Sequence, residues 1–187
     1  MTGNPSRFAA AELAGWVTAA LRSAGADPDD ADFTARALVR SDLRGIGTHG
    51  VSRIPSYLEK LSSGEVTARP RPSVTEHDGV LRVDGDGGLG QAVGARAVRA
   101  AVDAAHETSV VSCVITRSGH LGALGVLALV AAEEGMIALL CAQTPAFMSL
   151  PGSRDRALGN NPIAFAAPVR DRDRLAQPQP RPHRRPL

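Results

Sequence analysis

Aromatic residues are nearly missing from this chain. One tryptophan, one tyrosine and four phenylalanines make up 3% of its 187 residues, so the 43% that is hydrophobic must build a core from Ala, Val, Leu and Ile. Cysteine is as scarce. Cys113 and Cys141 both lie in apolar runs that read as buried strands, which predicts inert core thiols rather than a disulfide or a metal pair. Lysine occurs once, at Lys60, against 20 arginines. With the wealth of Ala, Gly and Pro, that bias reads as GC-rich coding rather than chemistry. No N-terminal stretch has the charged-then-apolar pattern of a secretory signal. No apolar run approaches about 18 residues, so no membrane span is expected and a cytoplasmic location follows by default. Basic residues form no stripe interleaved with aromatics, which argues against nucleic acid as a partner. His77, His106 and His183 are scattered, so no metal site is expected. GxSxG and Walker loops are absent.

What charge there is lies unevenly. The net charge is +2, but residues 170–187 hold six Arg and two Asp. Residues 1–169 carry 15 basic and 17 acidic groups, a slight negative excess. That final stretch has no periodicity and little to bury, and it reads as a disordered Arg/Pro-rich tail. It is either a functional basic tail or an out-of-frame, truncated end, and the Arg/Pro/His/Gln text favours the second.

Residues 1–69 read as a helical subdomain. Phe8, Leu13, Trp16, Val17, Ala20 and Leu21 recur at helical spacing up to Gly25. Asp27 followed by Pro28 is an N-cap with proline in the first turn of a second helix. A third is expected from about Val51 to Leu61. Pro70 and Pro72 mark a boundary, and residues 70–169 change character. Ser73–Glu76 and Val80–Val83 flank Asp78-Gly79, a hairpin signature. An alanine-rich helix to about Thr108, a strand over 110–116, a helix over 122–134, a strand over 136–142, a loop over 143–162 and a strand over 163–167 follow. The expected fold is α+β or α/β, a helical subdomain followed by a mixed, largely antiparallel sheet with helices.

Three segments could carry chemistry. In Gly45 to Arg53, His49 sits between helices with glycines on both sides. An imidazole titrates near pH 6.5, so it can take the hydroxyl proton of a 2-hydroxy acid or return one to a 2-oxo acid. Arg53 follows four residues on and could grip a carboxylate with two hydrogen bonds. Thr48 could orient the ring. The same spacing also suits a plain capping loop. Ser118-Gly119-His120-Leu121-Gly122-Ala123-Leu124 ends a strand and opens a helix, where free amides suit a phosphate, or simply make a turn. Gly85-Asp86-Gly87-Gly88-Leu89-Gly90 matches GxGxxG. Against a Rossmann reading, the strand before it looks paired in a hairpin, and Arg117 and Ser118 stand where a ribose-binding acid is expected.

The ordered set of motifs resembles the type-2 malate/L-lactate dehydrogenases, with ureidoglycolate, sulfolactate and diketogulonate dehydrogenases or reductases as relatives. Ser41 to Gly45, Thr48 to Val51, Arg53, Tyr57 and Gly64 carry the likeness. So do Asp84 to Gln91, Ser118 to Gly122 and Gly159 to Ala164. The resemblance implies a non-Rossmann fold that binds NAD or NADP, and a homodimer. It implies His49 as proton donor or acceptor with Thr48 beside it, and Arg53 on the substrate carboxylate. Cofactor contacts would come from His120, Leu121, Gly122, Ala123, Leu124 and Thr144, and substrate contact from Asn160. Some relatives assign the acid/base role to the histidine matching His120. Thr48 stands where serine is common, and Gly152-Ser153 replaces a usual Gly-Gly. After Pro168 the family pattern is not recognisable, including the carboxylate that would complete the His49 relay. The expectation is therefore a C-terminally truncated oxidoreductase of a 2-hydroxy or 2-oxo acid, with weak turnover. Two alternatives remain open: an inactive chain with only oligomerisation or interaction capacity, and a Rossmann-type dinucleotide-binding module.

Overall fold

The computed structural model describes residues 7–169; the predicted tail over 170–187 lies outside them. Helix α1 (Ala10–Ser23) and helix α2 (Pro28–Leu43) pack against each other as a hairpin. The turn between them is set by sequence. Gly25 takes a left-handed φ of 90°, and the Asp27 carboxylate accepts the Asp29 and Asp30 amide protons at 3.0 and 3.4 Å. A cap of this kind contributes about 1 kcal/mol.

The third helix does not begin at Val51. Two 3-10 turns, Gly47–His49 and Val51–Arg53, come first, and α3 spans Ile54–Ser63. The chain is extended at Gly50 (ψ −154°), which breaks helical continuity. Ser52 Oγ donates to the Gly47 carbonyl at 2.7 Å and folds the two turns onto each other. Proline at position 55 fits the first turn of α3, where its missing N–H leaves no gap.

Strands β1 (Ser73–His77) and β2 (Val80–Gly88) form the expected hairpin. Asp78 and Gly79 both have positive φ, 53° and 73°, as a two-residue primed turn requires. Helix α4 (Gly90–Thr108) then crosses to β3 (Ser112–Ser118), which pairs with β2 in parallel. This corrects the expectation that β2 is only a hairpin strand: it has an antiparallel neighbour on one side and a parallel one on the other.

The GxGxxG stretch runs from the end of β2 through the N-cap Leu89 into the first residue of α4, Gly90. Its first four residues are an irregularity within β2, where the register slips between Asp84 and Gly88. Arg117 Nε donates to both Asp84 carboxylate oxygens at 2.8 and 3.0 Å and a second nitrogen lies 3.3 Å from Asp86. Asp84 and Asp86 are thus engaged by Arg117 at the end of β3.

Helix α5 (Leu124–Glu133) leads to β4 (Ala138–Cys141), which pairs antiparallel with β7 (Ile163–Ala166). The stretch expected as loop holds a small hairpin, β5 (Met148–Ser149) with β6 (Arg156–Leu158). Its strands are two and three residues long and wholly exposed, so they leave no alternation to read.

The core is aliphatic, as composition requires. One cluster joins Val17, Leu21, Leu38, Tyr57 and Leu61 to Leu89 and Ala92 at the start of α4. Others surround α5 and bury one face of β4 and β7. The opposite face of that pair is open, with Leu139, Ile163 and Phe165 each about two-thirds exposed. Cys141 is exposed there, so it is not a core thiol; Cys113 is half-buried, with its thiol pKa raised by burial. Neither is in a disulfide. Among the described residues no helix is long and apolar enough to cross a membrane, and no three ligating side chains cluster.

Helix α4 begins where the backbone of another segment touches it. A Cβ on Gly90 would overlap the carbonyl oxygens of Gly119 and His120, and the Gly119 N–H donates to the Gly88 carbonyl at 2.9 Å. These neighbours are backbone and cannot swing aside. We expect Gly90→Ala to cost about 1–3 kcal/mol in chemical denaturation, as overpacking does, and to shift the His120 ring resonances. Wild-type stability with unshifted resonances would refute the close approach.

Candidate active site

The loop between α2 and α3 is built on Asp42. Its carboxylate accepts the Val51 N–H at 2.9 Å and lies flat on Gly50, where any side chain would collide with it. That contact fixes the two 3-10 turns and leaves His49 half-buried between exposed Thr48 and buried Gly50. Thr48 Oγ1 lies 3.0 Å from Nδ1 of His49, which leaves Nε2 as the ring atom open to a ligand. Arg53 Nε donates to the Thr48 carbonyl at 2.7 Å. Its two terminal nitrogens have no hydrogen bond among the described residues, so the forked end of the guanidinium is free.

Sequence reasoning placed His49 and His120 in separate segments. The structure brings them together, with ring centroids 5.4 Å apart and planes tilted by 31°. His120 follows β3 on the strand-to-helix segment that Gly90 presses against. Two residues given no role by sequence reasoning support it. Tyr57 Oη lies 2.8 Å from Nδ1 of His120, and Gln91 Nε2 donates to that same hydroxyl at 2.6 Å. Tyr57 is the single tyrosine of an aromatic-poor chain, one turn beyond Arg53 on α3. That rarity was the available signal. Gln91 ends the Asp84–Gln91 stretch that carries the likeness, which gave it no role of its own, and it is buried.

The electrostatics favour neutral rings. His49 is lowered below the ordinary imidazole value by desolvation first and by the Arg53 charge second. His120 is pushed down to about 4 by desolvation, then by Arg53, His49 and Lys60. By surface area His120 counts as exposed, but its ring is hemmed in by Tyr57 and His49, and the crowded side governs its proton. Burial raises the Tyr57 hydroxyl, against smaller opposing effects of Gln91 and Arg53, so it stays protonated.

The remaining expected residues form a second group. Thr144 Oγ1 donates to Asn160 Oδ1 at 3.0 Å, and the Thr144 N–H donates to Asn161 Oδ1 at 3.1 Å. No hydrogen bond among the described residues links this pair to the histidines. The two groups approach through Ala142, which packs in the cluster of Leu121 and Leu124. Leu121, Gly122 and Ala123 are half-buried and Leu124 opens α5. A concavity of about 570 Å³ runs along α1 and α2 past Ala14, Thr18 and Arg36 and includes none of these residues.

The sequence profile described as malate/L-lactate dehydrogenase matches residues 8–176, most of the chain. The chain belongs to this family. It is 38% identical over 161 residues to malate dehydrogenase of Pyrococcus horikoshii, covering 86% of this chain and 45% of that protein. It is also 38% identical over 157 residues to the (2R)-3-sulfolactate dehydrogenase (NADP(+)) of Chromohalobacter salexigens, covering 84% and 47%. The solved structure of malate dehydrogenase from Pyrococcus horikoshii superposes with a TM-score of 0.84 at 36% identity, over 89% of this chain and 48% of that one. The chain thus spans about half the length of the curated relatives it matches. Within the family frame, GxGxxG is a packing motif here: it brings α4 onto the His120 segment.

Both depressed rings have a consequence for stability. Between about pH 6.5 and 4 the unfolded chain binds more protons than the folded one, because His120 resists protonation until about 4. The contribution of its neutral ring is therefore complete above about pH 6.5 and is lost as the pH falls toward 4. An NMR titration of ring carbons is expected to show His120 titrating well below His49, with His49 below a free imidazole. Arg53→Gln should raise both while leaving the depression due to burial. A His120 midpoint at or above 6.5 would contradict the geometry.

Proposed function

We propose that this chain carries the proton-transfer and carboxylate-holding part of a nicotinamide-dependent dehydrogenase acting on a 2-hydroxy acid, or reducing the matching 2-oxo or imino acid. The observation that carries this reading is that Arg53, with its forked end free, shares one surface with the His49–His120 pair and bears electrostatically on both rings.

Arg53 would receive the substrate carboxylate at its terminal nitrogens. The substrate hydroxyl then lies toward His49, whose Nε2 takes its proton during oxidation and returns it during reduction. Thr48 holds Nδ1 and so keeps Nε2 aimed outward. A bound carboxylate also offsets the Arg53 charge, one of the two causes that depress His49. Substrate binding thereby moves the imidazole toward the range where a general base works best near neutrality.

A nicotinamide cofactor, NAD or NADP, would supply the hydride acceptor or donor. The start of α5 fits such a group. Ala123 at its N-cap gives the first-turn amides no side-chain partner, and Gly125 faces open space. His120, Leu121, Gly122, Ala123 and Leu124 would line the cofactor, with Thr144 beside them. Asn160 would offer its amide N–H₂ to substrate, since its oxygen is taken by Thr144. In this division 1–69 would hold proton and carboxylate, and 70–169 would face the cofactor and add His120 and Asn160 toward the substrate. A homodimer belongs to this reading through the family likeness.

A second reading, association without turnover, is favoured by the open apolar face of β4 and β7. One pair of experiments separates them. Oxamate, a 2-oxo acid mimic, is expected to raise the His49 pKa in wild type and to have no effect in Arg53→Leu. Oxidation of NADH or NADPH with a panel of 2-oxo acids is expected to fall about 10²- to 10⁴-fold in His49→Ala. Absence of both oxamate binding and turnover, with oligomers in light scattering, would leave the second reading standing.

A further inference from the structure

The two histidines need not do the same work, and the hydrogen bonds around them assign the difference. Gln91 is fully buried and places its amide against Tyr57 on one side and Gly122 on the other. An amide N–H₂ can only donate, so the Tyr57 oxygen accepts from Nε2 of Gln91. The Tyr57 proton is then directed to its other neighbour, Nδ1 of His120, 2.8 Å away. A neutral imidazole that accepts at Nδ1 carries its proton on Nε2.

The reverse orientation of Gln91 would reverse the chain of donors. It is disfavoured because the far end of the amide has no partner: Oε1 is buried and unpaired. Leaving one carbonyl oxygen unpaired costs less than burying two unpaired N–H donors in the same place.

We infer that Gln91 and Tyr57 are positioning residues that lock His120 as the Nε2–H tautomer, making it a hydrogen-bond donor to the substrate oxygen and leaving proton exchange to His49. The substrate part of this statement rests on the proposed dehydrogenase reading; the tautomer does not. The depressed His120 pKa keeps the ring neutral at pH 7, so tautomer is the only variable there.

Long-range ¹H–¹⁵N correlation spectra of the uniformly ¹⁵N-labelled, unliganded chain at pH 7 report the tautomer directly. For His120 we expect Nδ1 at the position of an unprotonated nitrogen and Nε2 at that of a protonated one. In Tyr57→Phe the donor to Nδ1 is gone, and the two nitrogens should move toward the averaged positions of mixed tautomers. In Gln91→Leu the Tyr57 proton is no longer directed, and a smaller shift of the same sense is expected. His49 resonances serve as the control for intact folding. An Nδ1–H tautomer in wild type overturns the inference without any variant, and so does a Tyr57→Phe spectrum unchanged at His120. If the tautomer is found but no turnover is, the dehydrogenase reading alone fails. If turnover depends on His49 but His120 is Nδ1-protonated, the inference alone fails.

Discussion

The site depends on a place where two stretches of backbone touch. At Gly90 the start of α4 rests on the carbonyl groups of Gly119 and His120 with no room for a methyl group between them. Close-packed interiors transmit such a constraint rather than absorb it. It fixes the height of His120 over α3, and with it the 2.8 Å approach to Tyr57 and the 5.4 Å separation from His49. Gln91 is the next residue along α4, so the helix that sets the backbone of His120 also supplies the amide that reaches its tyrosine partner. Position and proton direction are established by adjacent residues of one helix turn.

A second constraint acts from the other side. The Asp42 carboxylate on Gly50 shapes the two 3-10 turns, and these present Thr48, His49 and Arg53 together. The loop is held by side chain-to-backbone bonds within a few residues, so it forms with little help from the sheet. What comes from the sheet is His120. The candidate site is therefore a junction: a locally determined loop meets a ring delivered by the β2–α4–β3 unit.

The sequence was legible where a feature is local. Asp27-Pro28 marked a helix start and Asp78-Gly79 a primed turn, because each needs only its own neighbours to be satisfied. His49 and Arg53 stood out because glycines framed them. It was less legible where meaning depends on a partner distant in the chain. The GxGxxG stretch satisfies a phosphate-loop pattern in writing, yet its register slip within β2 and the hold of Arg117 on Asp84 and Asp86 are set by β3, some thirty residues later. Gln91 stood only as the end of a motif, because its burial and its bond depend on Tyr57 from α3. Cys141 looked like core and is exposed, because the apolar alternation of a strand says that a face is to be covered without saying by what. The pairing of His49 with His120 had no signal in spacing; only the family likeness, which offers either ring as the acid/base, pointed to both.

Two neutral imidazoles beside a guanidinium form an incomplete electrostatic arrangement. Arg53 lowers the proton affinity of His49 and of His120 alike, so the surface is a net cation that neither ring shares. An anion with a hydroxyl or carbonyl next to its carboxylate completes it, the carboxylate at the guanidinium and the oxygen between the rings. A cationic or neutral ligand gains nothing from Arg53 and leaves its forked end without a partner, a loss that grows as water is excluded. The proposed preference for 2-hydroxy and 2-oxo acids would thus follow from the charge of Arg53 beside two neutral rings. A change in substrate beyond the second carbon would be accommodated elsewhere, since none of these three groups reaches it while the carboxylate is held at Arg53.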